Sequence, residues 1–304
     1  MKKVIALALA ALLVLSLAAC GSGSGSSSNS GSSAGSADTG SADTGSTDTG
    51  STDTGSTDTG SDAGSSSDSS ATPAFDTISD GVLTMATNAA FPPYEMTTDD
   101  SGVNGSGFEG IDVEIAFEIA DRLGLELQID DKDFDSALLS VQQGSADIVM
   151  AGVSVTEDRL AVMNFSDSYA TGIQVIIVPE GSDITVDTLG DHLIGTQRAT
   201  TGNIYCTDDY GEEHVVAYDN GITAVQALMN GQVDCVVIDS APAAELVAAN
   251  TGLTILPTEY VVEDYAIGVA KENVALLDAI NEVLAQMQAD GTMQSIIDSY
   301  ISAE

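Results

Sequence analysis

Positive charge is nearly missing from this sequence. Seven Lys and Arg stand against 47 Asp and Glu, for a formal net charge of −40. Nucleic-acid binding needs a basic face to neutralise phosphates, and anionic lipid surfaces attract basic segments, so both partners are excluded on charge. Histidine and cysteine are as scarce: His192 and His214, then Cys20, Cys206 and Cys235. That set has no zinc-ligand spacing and offers no nucleophile–base pair, so neither a metal, a cofactor nor catalysis is expected. Tryptophan is absent. Beyond the first twenty residues no apolar run reaches the roughly 20 residues that span a bilayer.

What is present begins at the N-terminus. Lys2 and Lys3 precede an apolar run, Val4 to Leu17, which ends in Leu17-Ala18-Ala19-Cys20. A charged start, a short apolar stretch and small residues before a cut site make a secretory signal. A cysteine directly after Leu-x-Ala resembles a lipobox, so residues 1–20 read as a lipoprotein signal peptide with Cys20 acylated. Two or more acyl chains anchor stably where one does not. The mature protein is therefore expected on the outer face of the cell membrane, of Gram-positive type, held by lipid at Cys20. Without Lys2 and Lys3 its charge falls by two more, to −42.

Residues 21–74 are almost wholly Gly, Ser, Thr, Asp and Ala, with a pentapeptide repeated five times from Ser36-Ala37-Asp38-Thr39-Gly40 to Ser56-Thr57-Asp58-Thr59-Gly60. So few apolar groups cannot bury a core, and the segment reads as a disordered linker. As a flexible coil it would reach roughly 40 Å on average.

From Gly81 strands and helices alternate. Val82 to Thr87 reads as a strand, and Ile111, Ile115, Ile119 and Leu123 fall on one helical face before Gly124. Leu125–Ile129 and Ala146–Ala151 read as strands around a helix over Phe134–Gln143. The same grammar resumes with strands Ile173–Val178, Leu193–Thr196, His214–Ala217 and Val233–Ile238, and helices after Thr201 and over Ile222–Asn230. This is the α/β class, with parallel sheets covered by helices. Val141-Gln142-Gln143-Gly144-Ser145-Ala146-Asp147-Ile148 is echoed by Leu228-Met229-Asn230-Gly231-Gln232-Val233-Asp234-Cys235, with Gly and Asp both 87 positions apart. The echo implies one βαβ unit in each of two lobes, and the same offset sets Gly152 opposite Asp239 at the carboxyl ends of two strands. Ligands of open α/β sheets bind outside those ends, so a cleft is expected there.

Of the three arginines, Arg122 reads as a solvated charge on the first helix. Arg159 stands just beyond a strand end, after Gly152 and Ser154, where its planar guanidinium suits a carboxylate; pairing with Glu157 or Asp158 is the competing reading. Gly195-Thr196-Gln197-Arg198-Ala199-Thr200-Thr201-Gly202 leaves a strand and opens a helix, whose free N–H groups suit a small anion. Asp239 ends a buried strand and is suited either to an ammonium group or to capping the next helix. Phe91 and Phe134 are suited to wall a ligand, or to fill a core, while Tyr94 reads as core. Cys206 and Cys235 read as a disulfide or as two buried thiols.

Ala86-Thr87-Asn88-Ala89-Ala90-Phe91-Pro92-Pro93-Tyr94-Glu95, Gly110-Ile111-Asp112-Val113-Glu114-Ile115-Ala116, Ala151-Gly152-Val153-Ser154-Val155-Thr156-Glu157-Asp158-Arg159 and Asp234-Cys235-Val236-Val237-Ile238-Asp239 resemble the extracellular solute-binding proteins of polar amino-acid ABC importers, solute-binding protein family 3. The resemblance covers about Val82 to Ile301. It implies a two-lobed periplasmic-binding-protein fold of type II over residues 75–304, lobe 1 being 75–171 and 265–304 and lobe 2 being 172–264, joined by crossing strands near Ala170–Val175 and Tyr260–Ala266. It implies that Arg159, Ser154 and Thr201 hold an α-carboxylate and that Asp239 and the Gly152 backbone hold an α-ammonium. Phe91 and Phe134 would sandwich the side chain, Asn88 would meet its polar end, and Gln197 lies where members vary with ligand. The family usually has Gly where Ala199 stands. The implied partners are a free L-amino acid, a permease and its ATPase, with the binding protein a monomer that captures ligand by lobe closure. A sensing subunit without transport and a dehydratase on the same fold are the alternatives. Asn88 in place of an acid ranks uncharged polar ligands first, acidic second and basic third.

Overall fold

The structure is a computed structural model and describes residues 75–301. The expected signal peptide, Cys20 and the 21–74 linker lie outside those residues. In chain order the first lobe is built from β1 (Val82–Thr87), β2 (Ala90–Phe91), β3 (Glu95–Thr97), β4 (Phe108–Glu109), α1 (Ile111–Leu123), β5 (Glu126–Asp131), α2 (Phe134–Gln142), β6 (Ile148–Val149), α3 (Glu157–Val162) and β7 (Met163–Phe165). The chain then crosses on β8 (Ala170–Pro179) to β9 (Ile194–Gln197), α4 (Thr201–Tyr210), β10 (Val215–Tyr218), α5 (Gly221–Met229), β11 (Cys235–Asp239), α6 (Ser240–Ala249) and β12 (Leu253–Ile255). It returns on β13 (Val261–Tyr265) to β14 (Gly268–Ala270), α7 (Val274–Asp290) and α8 (Thr292–Tyr300).

Two main sheets result, ordered β5-β1-β6-β14-β7 and β10-β9-β11-β8-β12. The βαβ units run parallel, as the alternating pattern requires. The sheets are nonetheless mixed, because β14 runs antiparallel to β6 and β8 antiparallel to β11. A chain that leaves one lobe and comes back must enter each sheet against the grain of the βαβ units. β8 and β13 pair antiparallel from Ala170↔Tyr265 to Gln174↔Val261 and form the two-stranded connection, inside the ranges expected for it.

The 87-residue echo has a physical counterpart. Asp147 accepts from the Thr84 amide in β1 and Asp234 accepts from the Leu193 amide just before β9, both at 2.8 Å. Gly144 and Gly231 share φ values of 68° and 67°. Each unit thus uses its Asp to tie the turn before one strand to the start of its neighbour. The expected strand Ala146–Ala151 keeps regular pairing only at Ile148–Val149, because its first residues form this turn and Gly152 at φ 55° bends the chain away.

One reading is corrected and one open choice is decided. Arg122 is no free surface charge. Its side chain is about one-fifth exposed, at 19 %, and bonds Glu118 at 2.7 Å, Asp290 at 2.9 Å and Thr292 at 3.1 Å. It sits in the last turn of α1, from which it reaches the α7–α8 turn and clamps the two segments together. Cys206 and Cys235 are not bonded. Both are free thiols buried with Ile176, Ile194 and Val237 in the core of the second lobe, and burial pushes each up to about 12, which leaves them unreactive.

Candidate functional site

β1, β6, β9 and β11 all end at the space between the lobes, which is why their following turns meet there. One cavity is lined by Asn88, Phe91, Phe134, Gly152, Ser154, Arg159, Gln197, Thr201 and Asp239, so every ligand-contact position expected from sequence is brought together. The lobes touch across it. Gln197 Nε2 donates to Asn88 Oδ1 at 2.9 Å, and Arg159 Nη2 donates to the Ala199 carbonyl at 3.1 Å.

Arg159 is 8 % exposed and ignores Glu157 and Asp158. Its Nη1 donates to the Ser154 carbonyl at 2.8 Å, and its guanidinium lies 5.4 Å from the Phe134 ring centroid. Two of the five guanidinium N–H groups are thereby used, leaving three for a planar acceptor. Burial lowers its pKa and nearby acids oppose that shift. Thr200 caps α4 through its side chain, and Thr200 and Thr201 present the helix start to the cavity. Ala199 adopts φ 62°, the left-handed conformation that costs a non-glycine residue roughly 1–2 kcal/mol.

Asp239 precedes α6 but makes no side-chain cap. Its carboxylate faces inward, accepting from Gln174 Nε2 at 2.9 Å and from the Tyr265 hydroxyl. Burial is the main reason its pKa rises to about 6. Gly152 donates its N–H to Asp112 Oδ2 at 3.0 Å, so its carbonyl is what it can offer a ligand. A Cβ on Gly152 would stand 2.8 Å from Phe91 Cε1 on a backbone at φ +55°. Gly152→Ala is therefore expected to cost about 1–3 kcal/mol and to lower Tm by a few degrees in thermal unfolding, with Phe91 displaced.

Sequence reasoning missed the floor of the site. Glu95 is fully buried and lines the cavity, and neither of its oxygens has a partner among the described residues, nor does Asp112 Oδ1. A proton shared between the two acids pairs two of these atoms and leaves one Glu95 oxygen open to the cavity. Burial raises Glu95 well above the usual carboxylate range, the Asp112 charge adds to it, and burial raises Asp112 to about 6. Gln174, Glu263 and Tyr265 on the connecting strands were also missed. The available signal was alternation along β13, which puts Glu263 in the same inward phase as Tyr265. Tyr94 is core as expected, stacked on Phe91 and edge-on to Tyr265. Arg198 lies at the surface beside Asp219, 3.4 Å away.

Residues 83–303 match the family described as bacterial extracellular solute-binding proteins, family 3. The chain belongs to that family. Family 3 members are solute-binding proteins, so the protein is a binding protein and not an enzyme. A probable histidine-binding protein of Neisseria gonorrhoeae is 29 % identical over 73 % of this chain and 84 % of its own length. ABC transporter arginine-binding protein 1 of Escherichia coli is 28 % identical over 72 % and 90 %. A solved structure of an ancestral arginine-binding protein bound to glutamine is 33 % identical, with TM-score 0.68 over 74 % of this chain and all of its own. The fold is accordingly the two-lobed type II fold of family 3 amino-acid binding proteins.

Proposed function

We propose that this protein captures a free L-amino acid outside the cell and delivers it to an ABC permease by lobe closure, tethered by acylated Cys20 through the 21–74 segment. The observation that carries the reading is the meeting of Arg159, with three uncommitted N–H groups, and the inward carboxylate of Asp239 in one cavity. An amino acid's carboxylate and ammonium complement that pair. Lobe 1 (75–171 and 265–304) contributes Asn88, Phe91, Phe134, Gly152, Ser154 and Arg159, and lobe 2 (172–264) contributes Gln197, Thr201 and Asp239. A ligand that touches both sets stabilises the closed form.

The side-chain end of the cavity departs from the ranking drawn from Asn88 alone. Glu95 offers a carboxyl oxygen there, and Asn88 and Gln197 add amide groups. These are partners for a side chain that ends in N–H donors. Three of the relatives' named ligands, histidine, arginine and glutamine, have such ends.

Thermal unfolding of the purified protein against the twenty L-amino acids tests this. Ligand at about 100 times Kd adds about 2.7 kcal/mol, or roughly 5–11 °C for a domain of this size. The expected shift is with L-arginine, L-histidine or L-glutamine. A flat scan after unfolding, dialysis and refolding would refute amino-acid binding, and a shift with aliphatic or acidic residues alone would refute the donor reading.

A further inference from the structure

The hydroxyls assigned to the ligand's carboxylate are already engaged. Thr201 Oγ1 donates to Glu263 Oε2 at 2.7 Å, and Ser154 Oγ donates to the same oxygen at 3.2 Å. Gln174 Nε2 reaches that oxygen at 3.2 Å, and the Tyr205 hydroxyl donates to Oε1 at 3.0 Å. Ser154 and Thr201 stand 3.5 Å apart. A hydroxyl has one proton to give, so a proton aimed at Glu263 is withheld from any second acceptor.

Glu263 also bears on Arg159. It is the first of the groups whose charge opposes the effect of burial on the guanidinium, ahead of Tyr205, Asp239 and Tyr265. No carboxylate among the described residues forms a direct ion pair with Arg159. One carboxylate, 8 % exposed and carried by a connecting strand, therefore receives a donor from lobe 1, two from α4 of lobe 2 and one from β8, beside a buried cation.

We propose that Glu263 is the resident counterion of the Arg159 site, a positioning residue that orders its donors and competes with the ligand's own carboxylate for them. The inference rests on reading this cavity as an amino-acid site. With the lobes together and no ligand carboxylate in place, Glu263 keeps a buried cation compensated and the two hydroxyls in position. When a ligand carboxylate arrives, two like charges share one cluster of donors, and their repulsion limits affinity and favours release. A site that hands its cargo onward has use for such a limit.

The test compares wild type with Glu263→Gln by titration calorimetry, using L-arginine and L-glutamine as probes and L-argininamide and L-glutaminamide as the matching ligands without a carboxylate. The variant is expected to bind the amino acid tenfold or more tightly, to leave the amide's affinity within about twofold, and to unfold at lower temperature when free. A variant that binds both forms more weakly would make Glu263 a brace and overturn the proposal, as would unchanged affinity for the amino acid. Wild type that binds no probe would instead overturn the amino-acid reading, and this inference with it. Should Glu263→Gln not fold, carbon-13 NMR of the wild-type carboxyl groups decides. The Glu263 resonance should move with L-arginine and stay with L-argininamide, and a resonance that stays with both refutes the competition.

Discussion

Replacing Arg159 with alanine is expected to lower amino-acid affinity by about 3–5 kcal/mol, two to nearly four decades, while the protein still unfolds cooperatively. The size follows from the setting. The guanidinium is buried over Phe134, held in plane by the Ser154 and Ala199 carbonyls, and retains three N–H groups for a carboxylate. Truncation removes both the charge and the planar donor array, and Asp239, at the other end of the ligand, cannot replace either. The fold survives because the guanidinium makes only two hydrogen bonds among the described residues, both to carbonyls, and removing a desolvated charge offsets part of their loss. Lysine at 159 should recover little, since a point charge cannot reproduce the two-pronged geometry. Calorimetric titration with thermal unfolding as the folding control reads both quantities, and an unchanged Kd would sink the assignment.

The second large effect is expected from pH. Asp239 must be ionised to hold an ammonium, yet burial has raised it to about 6. Affinity should be nearly constant above pH 7 and fall about tenfold between pH 7 and pH 5, as the proton competes with the ligand for the same carboxylate. The folded protein's own stability should respond in the opposite direction. A carboxyl whose folded pKa lies above its unfolded value of 3.8 favours the fold most below that value, and the contribution is lost as pH rises through about 6. Asp112, also raised to about 6, acts with the same sign. The free protein should therefore gain Tm from pH 7 to pH 5 while ligand binding weakens. Affinity that stays flat to pH 5 would mean that the ammonium is held by neutral groups.

Much of this was legible because the chain repeats its own logic. Periodicity placed α1 and α2 within a residue or two, and the Gly–x–x–Asp echo located the equivalent turns of both lobes before their shared hydrogen bonds were seen. The carboxyl ends of those strands then named Gly152, Arg159 and Asp239. What stayed hidden depends on topology. Glu263 and Ser154 are 109 positions apart in sequence, and although alternation along Val261-Val262-Glu263-Asp264-Tyr265 puts Glu263 in phase with Tyr265, nothing local says that it meets hydroxyls from both lobes. Glu95 lay in a quoted motif, but its burial depends on Asp112 arriving from α1. The short strands β2, β3 and β4 carry too few residues to show alternation. The choice between a disulfide and two buried thiols could not be made from sequence, because compartment and cysteine count speak only to opportunity, and the structure holds both as free thiols.

The ribbon of β8 and β13 joins the lobes, and its Gln174, Glu263 and Tyr265 hydrogen-bond the cavity residues Asp239, Ser154 and Thr201. Fulcrum and load are therefore neighbours. A force applied where the cargo sits reaches the element that joins the lobes through a single layer of side chains, Asp239, Ser154 and Thr201. Substitutions in this ribbon should accordingly shift the ease of opening and the strength of grip together, whereas changes elsewhere in the cavity should alter grip alone.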